Sequence, residues 1–410
     1  MKFWKKRIYA DAAAATPLSR SVQKEMHRLE KLFANPGGLH REAVAAKKEL
    51  ESARMRAAHA VGAHADEIIF TSGGTEANNL AIFGALRQGL HEHGELNAVT
   101  APIEHPSVLE PLKALERDGL YITYLPVDKE GKVNPKDVRE AVNDETVFVS
   151  VQMVNSEIGT IQPVRDIAKE IRHVRKTRVA KLPLYFHTDA SQAPLWLPLN
   201  VEKLGIDLMT LDAQKMMGPK GSGLLYVRRG TELEPLLFGG GQERGLRSGT
   251  ENAVLAGALA EALANAQEGV DERAAQVAEV RDYLWSEIQT LLPGAVLNGP
   301  ACQGLALPRG GKARPSDARV ANNLNISVPG LDGQMATVAL DAKGVAVSTR
   351  SACSTADEEP SPVLQAIGAG EQATREAVRI TLLPDARLRD ARAIAIALKK
   401  VADRYRNVVH

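Results

Sequence analysis

Between about residue 40 and residue 230, apolar runs of strand length alternate with stretches of helical composition, and few architectures accept that order. A helix between two strands acts as a crossover, so the strands run mostly parallel and helices cover both faces of the sheet. The strand candidates are EIIF, VFVSVQMV, PLYFHTDA, DLMTL and GLLYV, and the helix candidates include REAVAAKKELESARMRAAHAV and EANNLAIFGALRQGL. From Glu251 to about Leu292 the composition is continuously helical, punctuated by Gly257, Gly269 and Pro293, and reads as one long helix leaving the first domain. A loop from about Gly299 to Asn323 then leads to the strand candidates LNISV and AVRITLL with helices between them, a compact α/β second domain. Two domains also suit the length, since 410 residues exceed what a single core usually organises.

Composition excludes several classes of function. With 51 basic and 50 acidic residues the net charge is +1, too small a field to gather nucleic acid or an acidic membrane, so no polyanionic partner is expected. Lys2, Lys5, Lys6 and Arg7 precede a run too short and polar to be a signal-peptide core, and no segment is apolar enough to span a bilayer. Cys302 and Cys353 are too few for a disulfide framework or a four-thiolate metal site, which suits a reducing cytosol and predicts a cytoplasmic protein without a metal.

Four stretches carry chemistry. In EIIFTSGGTEANNLAI a strand ends in Ser72, Gly73, Gly74 and Thr75 before a helix, so backbone N–H groups, a hydroxyl and the helix dipole converge where a phosphate would fit; alone, such a turn is most often only a turn. In HTDASQ, Asp189 stands at the carboxyl end of a buried strand and needs a partner, either a pyridinium nitrogen or the N–H groups of a following helix. In LDAQKMMGPKGSGLLYVRR, Lys215 follows a strand and precedes a glycine-rich turn; its order after Asp189, rather than its type, sets it apart from an exposed loop charge. The stretch STRSACSTADEEPS surrounds Cys353 with small and polar residues, the setting of an accessible nucleophile, and Arg350, three residues earlier, is either a cation that favours the thiolate or a plain solvated arginine. Cys302, in GPACQG, has no such support.

In their order along nearly the whole chain these motifs resemble those of the cysteine desulfurases, within the class V, aspartate-aminotransferase-like enzymes. The matching stretches are DAAAATP, NPGGLH, IIFTSGGTEANNLAI, EHPSVL, VNSEIGTIQPV, FHTDASQA, QKMMGPKGSGLLYVR, GGGQERGLRSGTEN, NNLNIS, SACSTADEEPSPVL and VRITL. The resemblance implies fold type I of the pyridoxal-phosphate-dependent transferases. A large domain, residues 15–258, would hold a mostly parallel seven-stranded sheet, and residues 1–14 with 259–410 would form a smaller α/β domain carrying the Cys353 loop. It implies pyridoxal 5'-phosphate as cofactor and L-cysteine as substrate, with alanine and a Cys353 persulfide as products. The persulfide would pass to a scaffold or sulfur-carrier protein in iron–sulfur cluster assembly or tRNA thiolation.

Residue by residue, the resemblance implies that Lys215 carries the cofactor, Asp189 pairs with its ring nitrogen, and Gln192 and Asn155 lie near its phenolic oxygen, Asn155 also reaching the substrate. His105 would stack on the ring and move protons. Gly74 and Thr75 would hold the phosphate, joined by Thr250 from a second subunit, which implies a homodimer. Arg379 would grip the substrate carboxylate with its guanidinium fork.

The sequence departs from the family at one sensitive place. Where a hydroxyl residue and a histidine usually precede the lysine, Asp212 and Gln214 stand. A carboxylate ~4 Å from a phosphate charge is repelled by roughly 4 kcal/mol at an effective dielectric near 20. The repulsion calls for compensation by protonation, by turning away, or by a cation such as Arg247, and Gln214 retains an amide N–H for a phosphate oxygen. The starting DAAAATP is richer in alanine than the family's, and LLPDA replaces the Gly-Arg pair often found after the VRITL strand. Two other readings use the same motifs. One is a different class V reaction, selenocysteine lysis or transamination, which needs Lys215 and Asp189 but not Cys353. The other, motivated by Asp212 and Gln214, is a scaffold protein that has lost turnover.

Overall fold

A computed structural model describes residues 7–179, 182–302, 318–349 and 361–409, with side chains to residue 405. Cys353 and Arg350 lie outside the described residues. The first strand, β1 (Ile8–Tyr9), is followed by helices α1 (Arg20–Leu29) and α2 (Arg41–Val61). Seven strands then form the main sheet: β2 (Ile68–Thr71), β3 (Leu96–Thr100), β4 (Leu120–Tyr124), β5 (Thr146–Ser150), β6 (Tyr185–Asp189), β7 (Leu208–Asp212) and β8 (Gly223–Val227). Between them run α3 (Gly74–His93), α4 (Pro106–Glu116), α5 (Pro135–Ala141), α6 (Val164–Thr177) and the short α7 (Val201–Leu204).

The strand order is β2-β8-β7-β6-β5-β3-β4, and only β8 runs against the others. This is the mostly parallel seven-stranded sheet implied by the resemblance. Its central strands are buried along their whole length, which explains their near-continuous apolar sequences. Two apolar cores result, one on each face. Val99, Val149, Phe186 and Met209 point to the first, while Ala98, Phe148 and Leu208, their neighbours along the strands, point to the second.

After the sheet come α8 (Ala253–Gln267) and α9 (Val270–Leu291). The single long helix expected over residues 251–292 is therefore two, because Gly269 takes a left-handed conformation (φ 58°) that no helix interior accepts. The break redirects the chain. Helix α8 packs on α1 and α2, whereas α9 packs on the helix Leu388–Val409. The remaining strands are β9 (Val296–Leu297), β10 (Asn323–Ser327), β11 (Val345–Ala346) and β12 (Ala377–Thr381). Strand β10 lies between β9 and β12 in an antiparallel sheet, and β11 pairs with β1, which brings residues near the start of the chain onto the C-terminal unit.

A buried ion pair ties the sheet to the loop that follows it. Glu243, 2% exposed at its side chain, takes two hydrogen bonds from the Arg54 guanidinium at 2.7 and 2.8 Å and a third from the Phe70 N–H at 2.9 Å. Arg54 also donates to the Ile68 carbonyl at 2.8 Å and lies over the Phe70 ring, 4.9 Å from its centre. Removing one partner leaves an uncompensated buried charge, a change that costs about 3 kcal/mol or more. Arg54→Met should accordingly lower the midpoint of urea denaturation, and an unchanged midpoint would show that the pair contributes nothing.

Candidate active site

Successive crossovers deliver the loops that follow β2, β3, β5, β6 and β7 to one edge of the sheet, the place where open α/β sheets bind ligands. One cavity there is lined by Gly74, Thr75, His105, Asp189 and Gln192. Asp212, Gln214, Lys215 and Arg379 line it too. Nine residues singled out in the sequence thus meet at one point, although they span more than 300 positions. Two others do not. The side chain of Asn155 is occupied by backbone, its oxygen taking the N–H groups of Glu157 and Ile158 at 2.9 Å and its amide donating to the Ile103 carbonyl at 3.1 Å; its neighbours Val154 and Ser156 line the cavity instead. Thr250 is exposed and absent from this wall.

The turn after β2 can lie where it does because of Gly223. A Cβ on that residue would stand 2.5 Å from the Cα of Gly73, so only hydrogen fits between β8 and the turn. Helix α3 then starts at Gly74, and no side chain caps its first N–H groups. The hydroxyl of Ser191 and the carboxylate of Asp212 flank this start: a Cβ on Gly74 would meet Ser191 Oγ at 3.1 Å and Asp212 Oδ2 at 3.4 Å. The cation suggested for Asp212 is elsewhere. Arg247 is paired with Glu76 at 2.8 Å, and Asp212 instead accepts the Gln214 N–H at 3.1 Å and the Gln214 amide at 3.0 Å.

Asp189 ends β6 and is nearly buried, so its oxygens require donors. Oδ1 accepts the Ser191 N–H at 2.9 Å and Oδ2 accepts the Asn78 amide at 2.8 Å. The same Asn78 nitrogen donates to Ser107 Oγ at 2.8 Å, and Ser107 Oγ lies 2.7 Å from His105 Nδ1. Because Nδ1 also receives the Ser107 N–H at 3.1 Å, the proton of the neutral imidazole belongs on Nε2. A continuous chain of hydrogen bonds therefore links His105 to Asp189. Lys215, in a short turn after β7, donates from Nζ to the carbonyl oxygens of Ala13 and Ala14 at 2.9 and 2.6 Å. Met217, two residues on, is held at φ 62°, a left-handed conformation that costs a non-glycine residue about 1 kcal/mol and fixes the path of the turn.

Arg379, on β12, is 1% exposed; it pairs with Asp11 at 2.9 Å, donates to the Ser156 carbonyl at 3.3 Å, and among the described residues has no partner for Nε.

The family-model comparison supplies the decisive observation: the Aminotransferase class-V model matches residues 8–392. The chain belongs to the class V aminotransferase family. It is 40% identical to the cysteine desulfurase IscS of Dictyoglomus turgidum over 380 residues, 92% of this chain and 90% of that protein. The IscS of Methanosarcina thermophila is 38% identical, covering 92% of this chain and 87% of its own. Among solved structures, a NifS-like protein superposes with a TM-score of 0.86 at 31% identity, covering 97% and 99% of the two chains. The solved structure of SspA in complex with cysteine gives a TM-score of 0.75 at 32% identity over 92% and 99%.

Pyridoxal 5'-phosphate is the cofactor of the class V family, and the residues present fit it. The uncapped start of α3 with Ser191 suits the phosphate, the nearly buried Asp189 suits a protonated ring nitrogen, and Lys215 brings a primary amine into the same cavity.

Sequence reasoning passed over Asn78, Ser107, Ser191 and Glu104. Asn78 is four residues after Gly74 and so shares its helix face, a spacing that could have pointed to it. Glu104 carries no sequence signal. Burial pushes its carboxyl well above the usual carboxylate range, with Asp189 adding to the rise; one oxygen accepts the Gln152 N–H at 2.9 Å and the other has no partner among the described residues.

Beneath Asp189, His187 is enclosed between Ser150 Oγ at 2.9 Å and Thr210 Oγ1 at 3.1 Å, with its ring stacked on Phe148. Burial holds this imidazole down to about 4, against a weaker opposing pull from Asp189. An unfolded histidine takes up a proton below about pH 6.5, whereas the folded one refuses it until about pH 4. Stability contributed by His187 is therefore complete above the unfolded value and falls as pH is lowered through this window, by ~3 kcal/mol in all. Thermal midpoints measured from pH 7 to pH 4 should drop less steeply for His187→Asn than for the unaltered protein, and parallel slopes would refute this.

Proposed function

We propose that this enzyme is a pyridoxal-phosphate-dependent cysteine desulfurase that takes the sulfur of L-cysteine onto Cys353 and releases L-alanine. The observation that carries the reading is the meeting of Lys215, Asp189, His105 and Arg379 in one cavity of a chain 36–40% identical to proteins named cysteine desulfurase. The complex of the related SspA with cysteine supports the choice of substrate.

Bound in this cavity, the cofactor supplies an electron sink for the charge left when a proton leaves the substrate Cα. Lys215 Nζ is the amine that binds it and then takes and returns that proton. The carbonyl oxygens of Ala13 and Ala14 orient this amine by accepting its N–H groups. Asp189 would pair with the ring nitrogen, its oxygens held in place by the Asn78 amide and the Ser191 N–H. His105 lines the same cavity, held by Ser107 in the tautomer with its proton on Nε2, and would be the group beside the ring that moves protons. Arg379 receives the substrate carboxylate, with Asp11 already on one side of its guanidinium to fix the approach. The Cys353 thiolate attacks the substrate Sγ: an S–S bond forms, the Cβ–Sγ bond breaks, and its electron pair remains with the carbon skeleton that becomes alanine.

The persulfide then passes to an acceptor protein, a scaffold or sulfur carrier. The working unit is a homodimer in which Thr250 reaches the partner's phosphate site. Thr250 lies outside its own cavity wall, and the nearby Phe238 is 80% exposed, as are Phe33 at 83% and Leu39 at 97%, apolar surface of the kind a second subunit covers.

After incubation with pyridoxal phosphate and L-cysteine, the peptide containing Cys353 should gain one sulfur by mass, and Lys215→Ala should lose both this gain and alanine formation. Cys353→Ser should retain cofactor and lose alanine formation by at least about a hundredfold. Undiminished alanine production by Cys353→Ser would exclude the persulfide route and leave a lyase or transaminase that uses Lys215 alone.

A further inference from the structure

Two carboxylates approach the start of α3, and they are treated differently. Glu76 accepts the Ser72 N–H at 2.8 Å and is neutralised by Arg247. Asp212 ends β7 on the cavity wall, beside the backbone of Gly73 and Gly74, and its described hydrogen-bond donors are the N–H and amide of Gln214. These donors orient the carboxylate without cancelling its charge. The first N–H groups of α3 carry no side-chain cap, so the helix start attracts an anion, and Asp212 is the anion that the fold itself places alongside.

We propose that Asp212 sets the affinity for the cofactor's phosphate group, acting as an internal anion that competes with the phosphate for the start of α3 and keeps the cofactor exchangeable. Two effects act together. The charge of Asp212 repels the phosphate across a short distance in a largely enclosed site. The phosphate must also take the Gln214 amide N–H away from Asp212 Oδ2 if it is to use that donor. A neutral side chain at position 212 removes the first effect and weakens the second. Asparagine and serine each retain an oxygen to accept the Gln214 N–H, so the turn that positions Lys215 keeps its cap. The inference rests on the family's cofactor and is independent of which amino acid is turned over.

The test compares two ligands that differ only in phosphate. Cofactor-free protein is titrated by calorimetry with pyridoxal 5'-phosphate and with pyridoxal. For Asp212→Asn, the phosphate form should bind at least about tenfold more tightly than to the unaltered protein, while pyridoxal should change by less than about twofold. An unchanged or weaker affinity for the phosphate form overturns the proposal, as does an equal gain for both ligands, which would place the effect away from the phosphate. Asp212→Ser provides the same comparison should the asparagine variant fold poorly. A third measurement needs no variant: in the unaltered protein the phosphate should add no more than about a hundredfold to the affinity for pyridoxal, less than several charge-assisted hydrogen bonds ordinarily supply. A larger ratio would overturn the proposal by itself.

Discussion

A carboxyl group cannot be enclosed at the end of a strand without donors, and meeting that requirement at Asp189 organises the centre of this molecule. One donor is the backbone two residues on; the other is Asn78, whose amide nitrogen also reaches Ser107 and through it His105. Elements from three crossovers are thereby locked to one another by polar contacts inside an apolar sheet. Such networks specify a geometry because each member is costly to leave unsatisfied. Among the described residues, one oxygen of Asn78 and one of Glu104 have no hydrogen-bond partner.

The phosphate end of the cavity follows a different logic, of close backbone approach. The hydrogen atoms of Gly223 allow the Gly73 turn to lie on β8, and β8 is the one strand that runs against its neighbours. The reversal brings the amino end of β8 to the same edge as the carboxyl ends of the parallel strands, so Gly223 can serve as a floor for the turn. Beside that turn stands the carboxylate of Asp212, and the amide of Gln214 links it to the turn that carries Lys215.

Much of the large sheet was legible in the sequence, because strands covered on both faces are short apolar runs, and β2, β5, β6, β7 and β8 stand out as such. Strands β3 and β4 do not. Asn97 interrupts the apolar pattern of β3, its amide donating to Thr123 on β4, while β4 is an outer strand that exposes Tyr121 and Tyr124. The helix over residues 251–292 misled because alanine-rich composition runs through the break, and a single left-handed glycine outweighs it locally. Most of the site was legible from motif order. The reach of Arg247 and the side chain of Asn155 were not, because each is committed to a partner, Glu76 or local backbone, that no spacing rule connects to the cavity.

Strand β2 is the outermost member of the main sheet on its side, and an outermost strand offers unused N–H and C=O groups to any other extended chain. Arg54 and Glu243 occupy two of those groups, the carbonyl of Ile68 and the N–H of Phe70. The ion pair is therefore also a selvedge. It finishes the border of the sheet with charge, so that further strands cannot be stitched on and the protein is guarded against edge-to-edge aggregation.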